Sequence, residues 1–268
     1  MGKDRLAIAT FNCNSIRQRL EAVMEWLAFN DPDVLCLQET KVQDKDFPAA
    51  EFQDAGYYVV FKGMKSYNGV AIASKEEPRD VAWGLDDAGP SDPAQAGQDD
   101  ARLISARFKS LAVVNAYVPQ GFEMDSPKFA YKLEWFRRLK AYFARHFSPR
   151  EALLWTGDLN VAPEDIDVHD PKGLLGHVCF NPEATAAFKD VCAWGFVDVF
   201  RKHRPNAGDY TFWDYRENSF EINKGWRIDH LLATPPLAAR SIDVVVDREP
   251  RGGEKPSDHT FVIAHFRP

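Results

Sequence analysis

Ala152-Leu153-Leu154-Trp155-Thr156-Gly157-Asp158-Leu159-Asn160 is a short apolar run that stops abruptly on an acid and an amide. Its first four residues read as a buried strand, and Gly157 lets the backbone turn as it leaves the sheet. Asp158 and Asn160 alternate about Leu159, so in an extended chain both project to the same side. An Asp there can accept a proton from water, and the amide can orient that water or the Asp. In isolation the stretch reads better as a strand end capped by turn formers. The functional reading gains because at least four other segments also end a strand on a lone acid, amide, Tyr or His.

Working outward, residues 5–11 form a strand that runs into Asn12-Cys13-Asn14-Ser15. Ser15 with Gln18 gives a capping box for a helix through Ile16, Leu20, Val23, Met24 and Leu27, stopped by Asn30-Asp31-Pro32. Asn12, directly after a buried strand, is placed to hold a carboxylate or a metal ligand. Residues 33–37 make a second strand, ending in Gln38-Glu39-Thr40-Lys41. Glu39 reads either as a hard-cation ligand or as a solvated acid paired to Lys41. Strands at 57–61 and 69–74 flank Lys62, Lys65, Tyr67 and Asn68, a basic and aromatic mixture suited to a phosphate backbone with a stacking contact. Residues 84–100 read as a solvated loop carrying much of the negative charge.

Strands follow at 102–108 and 111–118, and the phenol of Tyr117 at the second strand's end is either a satisfied core hydroxyl or a donor to a phosphoryl oxygen. Ser126-Pro127 opens a long amphipathic helix with Phe129, Leu133, Phe136, Leu139, Phe143 and Phe147 inward. Lys128 and Lys132 lie in its first turns, where the helix dipole favours an anion. After a long connection, Asn181-Pro182 caps a helix through Ala187, Phe188, Val191 and Trp194. Phe212-Trp213-Asp214-Tyr215-Arg216 is an aromatic run with partial exposure expected, and residues 225–232 enter another buried strand. Pro256-Ser257-Asp258-His259 precedes the closing strand at 261–266. Asp229, at a strand, is able to orient His259 and hold an imidazolium.

The chain has 268 residues, 45% of them hydrophobic, enough for one α/β domain spanning 1–268. Neither a signal peptide nor an apolar run of membrane-spanning length is visible. Cys13, Cys36, Cys179 and Cys192 show no CxxC spacing, which argues against zinc and for reduced thiols in a cytoplasmic protein. A formal charge of −7 argues against a globally basic nucleic-acid binder and leaves room for a local basic track. The two halves look alike in outline, each giving strands, a long helix and a strand ending on a reactive side chain. That suits two packed sheets with helices outside and a site at the edge between them. Carboxylates, amides, a Tyr and an Asp–His pair, with neither a thiol nucleophile nor a phosphate-cradling Gly loop, equip a chain for metal-assisted hydrolysis of a phosphate ester.

Leu37-Gln38-Glu39-Thr40-Lys41, Tyr117-Val118-Pro119-Gln120-Gly121, Gly157-Asp158-Leu159-Asn160, Phe212-Trp213-Asp214-Tyr215-Arg216, Gly225-Trp226-Arg227-Ile228-Asp229 and Ser257-Asp258-His259 together resemble the exonuclease III family of DNA-repair nucleases, within the deoxyribonuclease I-like superfamily. The resemblance spans almost the whole chain. It implies a four-layer α/β sandwich, two packed mixed sheets flanked by helices, acting as a monomer. It implies Mg²⁺ or Mn²⁺ dependence and action on duplex DNA at abasic sites and blocked or recessed 3′ ends. Carried over, Glu39 is the principal metal ligand with Asn12 its neighbour, and Asp158, Asn160, Asp258 and His259 complete the metal set. By the same resemblance Asp158 activates or orients water, Asn160 places the phosphate, Tyr117 donates to it or helps the leaving group, and His259 with Asp229 stabilises the developing charge; the general base stays open. Arg17, Tyr67, Arg102, Gln120, Lys128 and Trp213 fall where the family grips DNA, Lys132 is expected to join them from its place beside Lys128 in the helix, and Phe212, Trp226 and Ile228 resemble the walls of a pocket for a base-less deoxyribose. The alternatives are another phosphodiesterase or phosphatase of the superfamily and a non-catalytic nucleic-acid-binding relative, though the latter would be expected to lack Glu39, Asp158 or His259. One departure bears on specificity. Leu174 and His177 stand where similar abasic-site enzymes show Asn, and Val178 where they show a very small residue, so crowding by Val178 is expected to favour 3′ ends.

Overall fold

The computed structural model describes residues 5–92, 94, 97–206 and 208–268. Twelve strands alternate with six α-helices among them: β1 (Leu6–Asn12), α1 (Ile16–Asn30), β2 (Val34–Gln38), α2 (Ala49–Asp54), β3 (Tyr58–Lys62), β4 (Val70–Ser74), β5 (Arg79–Trp83), β6 (Leu103–Arg107), β7 (Ala112–Tyr117), α3 (Pro127–His146), β8 (Leu153–Asp158), α4 (Pro182–Cys192), β9 (Val197–Asp198), α5 (Val199–His203), β10 (Asp229–Ala233), α6 (Pro235–Ala238), β11 (Ser241–Asp247) and β12 (Phe261–Phe266). Two six-stranded sheets result, ordered β11-β12-β1-β2-β4-β3 and β5-β6-β7-β8-β10-β9. Each holds one parallel pair, β1 with β2 and β7 with β8, and is otherwise antiparallel.

Strand alternation sorts the side chains into layers. Ile8, Cys36, Ile72, Val113, Leu154, Leu231 and Val262 meet between the sheets. Leu153, Trp155 and Leu232 turn the other way onto α3 and α4, and Ala9, Leu35 and Phe261 turn toward α1 and α2. The result is the expected four-layer α/β sandwich. The Ala152–Trp155 stretch reads as it does because β8 is covered on both faces.

Several local expectations change. Ser15 precedes α1 but makes no side-chain cap bond, and its backbone φ of 91° accounts for this: the turn is shaped by Ser15 and Ile16 N–H groups donating to Glu39 and Thr40 carbonyls of the neighbouring strand end. Asn181, in contrast, caps α4 by accepting from Ala184 N–H at 2.9 Å. The 84–100 segment is pinned as well as solvated. Arg138 of α3 bonds Asp87 and Asp99, Tyr131 donates to Asp99, Ser91 donates to Glu134, and Leu85 is buried. Pro93, Gln95 and Ala96 of that segment lie outside the described residues.

Behind the strand entering β10 lies a charge network centred on the fully buried Arg227, Asp167 and His230. Arg227 donates to Asp167 Oδ1 at 2.6 Å and lies 2.9 Å from Asp198, and Arg201 also pairs with Asp167. The imidazole of His230 accepts from Arg227 at Nδ1 (3.1 Å) and faces the Val161 carbonyl at Nε2 (2.7 Å), a pattern that only the neutral ring with its proton on Nε2 satisfies. Burial first, and then the Arg227 charge, lower its pKa to about 4. The unfolded chain takes up a proton near pH 6.5 that the folded chain refuses until about pH 4. Stability from this group is therefore complete above pH 6.5 and is lost as pH falls toward 4, by on the order of 3 kcal/mol. Thermal melts of the parent and of His230→Gln between pH 7 and 4 separate this loss from the contributions of other buried groups, and an identical pH dependence of Tm in the two would contradict the neutral assignment.

Candidate active site

Five strand ends and loops from both sheets converge on a cleft of about 480 Å³ lined by Glu39, Tyr117, Asp158, Asn160, Asp258 and His259 among others. The parallel pairs explain the location. β1 and β2 deliver Asn12 and Glu39, while β7 and β8 deliver Tyr117 and Asp158, all at carboxyl ends of strands. Gly157 makes the exit from β8: its φ is 131°, and a Cβ there would collide with the Ala116 carbonyl of β7.

Asn12 is the hinge between the halves. Its amide donates to Glu39 Oε1 at 2.8 Å and to Asp158 Oδ2 at 2.9 Å, and its carbonyl oxygen accepts from Asn14 N–H. Lys41 Nζ sits 2.6 Å from Glu39 Oε2 and 2.5 Å from Asn14 Oδ1. Burial opposes the Glu39 charge, but Lys41 and the Asn12 amide outweigh it and hold the carboxyl below its ordinary value. Glu39 thus pairs with Lys41, as one of its two readings has it, but it is largely buried and faces the cleft instead of standing in solvent.

Asp158 is buried and accepts from the Asn160 backbone N–H at 3.0 Å. Asn160 adopts the left-handed conformation (φ 52°), which lets its amide reach Val118 O (3.0 Å) and Asp158 Oδ2 (3.3 Å). His259 Nδ1 lies 2.9 Å from Asp229 Oδ2, and Nε2 faces Asp158 Oδ2 at 3.7 Å. Burial disfavours an imidazolium, yet the carboxylates of Asp229 and Asp158 overcome it and raise the His259 pKa to about 10. Burial first, and then the neighbouring carboxylates, raise Asp158, while His259 pulls against them. One proton is held between the two, on the imidazole. Tyr117 is pushed well above its usual range by burial and by Glu39, so its phenol is a neutral donor. Asp258 accepts from Asn14 at 3.0 Å and borders the same cleft.

A hard divalent cation fits this donor set. Glu39 and Asp158 present carboxylate oxygens to the Asn12 amide, Asp258 borders the same cleft beside Asn14, and a cation, the Lys41 ammonium, already rests on Glu39 and Asn14. Asp229 Oδ1 is buried without a hydrogen-bond partner, and among the described residues Asp158, Asp229 and His259 bring ligand-type atoms within 4.8 Å of one another. That second group is occupied by its own proton-sharing ion pairs, which makes Glu39 the better anchor.

Phe212, Trp226 and Ile228 line the cleft, with Phe212 centred 4.9 Å from the His259 ring. Arg17, Tyr67, Gln120 and Lys128 are exposed, consistent with surface contacts. Three expected DNA contacts are corrected. Lys132 is fully buried, its ammonium donating to the carbonyls of Gln120 (3.1 Å), Asn160 (2.7 Å) and Val178 (2.6 Å), so it ties site loops instead of meeting phosphate. Trp213 is also fully buried, with Nε1 donating to Asn223. Arg102 turns inward, its guanidinium 4.9 Å above the Tyr117 ring and bonded to the Tyr117 carbonyl. Asp214 and Arg216, paired at 2.6 Å on the cleft wall, carried no separate signal within an aromatic run. Arg19, which joins Asn14, Tyr215 and Pro256, was hidden in an ordinary helical pattern.

The sequence model of the endonuclease/exonuclease/phosphatase family matches residues 9–259. Exodeoxyribonuclease III of Haemophilus influenzae is 36% identical over 96% of this chain and 98% of its own length. Among solved structures, an AP endonuclease from Archaeoglobus fulgidus superimposes with a TM-score of 0.92 at 52% identity, covering 97% of this chain and 99% of that one. A 3′ phosphatase from Neisseria, bound to a product DNA hairpin, gives 0.91 at 39% identity over 98% of this chain and all (100%) of its own.

The Asp229–His259 pair yields a direct expectation. Asp229→Asn keeps the shape but replaces the charge that sustains the imidazolium, so turnover on a phosphodiester should fall on the order of 100-fold or more while Tm stays near that of the parent. Steady-state rates and melts of Asp229→Asn and His259→Asn test this. Near-normal turnover in both variants would make the pair structural.

Proposed function

The chain belongs to the endonuclease/exonuclease/phosphatase family as a phosphodiester hydrolase of DNA repair, and within that class we propose a Mg²⁺-dependent enzyme acting on duplex DNA at abasic sites and at blocked or recessed 3′ ends. The observation that carries this reading is the convergence of Glu39, Asp158 and the Asp229–His259 pair, from both sheets, on one cleft with apolar walls. Glu39 would hold the cation, with Asp158 and Asp258 beside it and Asn12 spacing the carboxylates; Mn²⁺ suits the same oxygens. When bound, the cation neutralises phosphate charge and lowers the pKa of water.

The remaining work falls to side chains. Asp158, raised toward neutrality, orients the attacking water and takes its proton. The His259 imidazolium, sustained by Asp229, faces the charge that builds on the phosphoryl oxygens. Tyr117 donates a hydrogen bond as a neutral phenol, and Asn160 places the phosphate. Phe212, Trp226 and Ile228 receive the base-less sugar, which has no pairing to lose when it swings out. Arg17, Tyr67, Gln120 and Lys128 follow the duplex from the exposed rim. The reading places the enzyme on DNA as a monomer in a bacterial-type cytoplasm.

Preference among lesions follows from the 174–180 loop. Val178 does not crowd the cleft: it is buried in the core, and its carbonyl accepts from Lys132. His177 takes that part instead, with its ring 4.8 Å from Trp226 on the cleft wall beside Leu174. A ring there narrows the path of a continuous strand more than that of a 3′ end, beyond which no chain continues. We therefore favour 3′-end processing at least as efficient as abasic-site incision.

Duplexes carrying an abasic analogue, a recessed 3′ end or a 3′ phosphate, incubated with and without Mg²⁺, test the reading. Cleavage should require the cation and fall on the order of 100-fold or more in Glu39→Ala, with partial rescue at raised metal; chelator-resistant activity would overturn it. His177→Gly should raise abasic incision severalfold relative to 3′ processing. A parent that already incises much faster than it trims would contradict the steric argument.

A further inference from the structure

Two large apolar side chains stand in water at the rim of the cleft: Phe122 is 70% exposed and Leu175 65%. Phe122 lies in the β7–α3 loop, two residues beyond Gln120, and Leu175 follows Leu174; Gln120 and Leu174 both line the cleft. The two loops are joined near their bases by Lys132, which donates to the Gln120 and Val178 carbonyls. A single exposed apolar residue is ordinary. What sets Phe122 apart is its backbone. Its φ is 61°, a conformation that bulky residues rarely adopt and that folding alone would assign to Gly. The loop enforces it by a 2.7 Å hydrogen bond from Phe122 N–H to the Gln120 side-chain oxygen. The Lys128 ammonium lies 4.8 Å from the ring centre, so a cation accompanies the exposed π-face. Neither core packing nor backbone preference accounts for an aromatic held here.

We propose that Phe122 is a specificity-determining residue that stacks on a nucleobase of bound DNA next to the processed phosphate, with Lys128 on an adjoining phosphate and Leu175 against the neighbouring step. The inference rests on the DNA-repair reading above. Any base offers a π-face, so the contact tolerates all sequences, but a continuous stack keeps those faces covered. Faces open where a base is missing or where the duplex ends. Phe122 therefore adds affinity for interrupted or terminal stacks and little for intact duplex.

The test compares the parent with Phe122→Ala, Phe122→Gly and Phe122→Trp under conditions that block turnover. The probes are a duplex with a stable abasic analogue flanked by 2-aminopurine and the matching intact duplex. Phe122→Ala and Phe122→Gly should bind the lesion duplex on the order of 10-fold more weakly and lose the 2-aminopurine quenching, with intact duplex unchanged. Phe122→Trp should retain both signals. Because Gly relieves the left-handed backbone, Phe122→Gly should not lower Tm, which separates stacking from a structural role. The dependence of log Kd on log salt should be unaltered in the Phe122 variants, whereas Lys128→Gln should reduce its slope by roughly 0.9. Parent-like binding by Phe122→Ala and Phe122→Gly, or an equal loss on intact duplex, overturns the stacking assignment alone. A parent that neither binds nor cuts the lesion duplex overturns both this assignment and the functional reading.

Discussion

Two amides buried between the sheets set the position of everything in the cleft. Asn115 of β7 donates across the interface to the Leu37 and Ala71 carbonyls, each at 2.9 Å, and Gln38 of β2 donates back to Asn115 at 2.7 Å and to Thr10 at 3.0 Å. An unpaired amide in this apolar layer would cost about 1–3 kcal/mol per group, so sliding one sheet over the other is opposed by several such losses at once. Of the oxygen and nitrogen atoms of these two side-chain amides, Gln38 Oε1 alone has no partner among the described residues. Glu39 is the residue after Gln38, and Tyr117 stands two places after Asn115. Their meeting is a consequence of the sheet-to-sheet register, which apolar contacts alone would leave looser.

The register also concentrates like charge. Glu39, Asp158, Asp229 and Asp258 share a small region, a destabilising arrangement unless cations or protons compensate. Lys41 and the His259 imidazolium supply part of that compensation, and the Asn12 amide separates Glu39 from Asp158 with an N–H for each. The left-handed backbones of Glu39 (52°), Lys41 (55°) and Asn160 (52°) add conformational strain at the same place. A site so arranged has little reorganisation left to do when negative charge grows on a phosphate. Its stability is drawn from the three apolar layers beneath.

Much of this was legible in the sequence because strand ends are marked by abrupt changes in polarity. The uninterrupted apolar run of β8 marked a buried strand, which is covered on both faces, and Glu39, Tyr117, Asp158, Asp229 and His259 were each singled out at a strand end or entry and are found together. Helix periodicity was less informative about what covers a helix. Lys128 and Lys132 are four residues apart and belong to one stripe of α3, yet the first is exposed and the second is fully buried. The difference arises from the loops at 120, 160 and 178, whose carbonyls converge over the second turn, and no pattern within the helix encodes them. Trp213 and Arg102 were misread for a related reason. An aromatic or basic residue beside a binding motif can support that motif from behind, and composition does not distinguish front from back.

The glycines of the two quoted motifs carry a different meaning from their polar neighbours. A side chain at Gly157 would strike the Ala116 carbonyl, and one at Gly225 would strike Tyr210 and the Trp213 indole, whatever chemistry the cleft performs. These positions are constrained by the scaffold, whereas in the function we propose Glu39 and His259 answer to the reaction. A descendant that abandoned hydrolysis and kept the fold would be free to vary at 39 and 259 while retaining both glycines. Retained glycines with altered acids would therefore mark inherited architecture in a protein turned to another task.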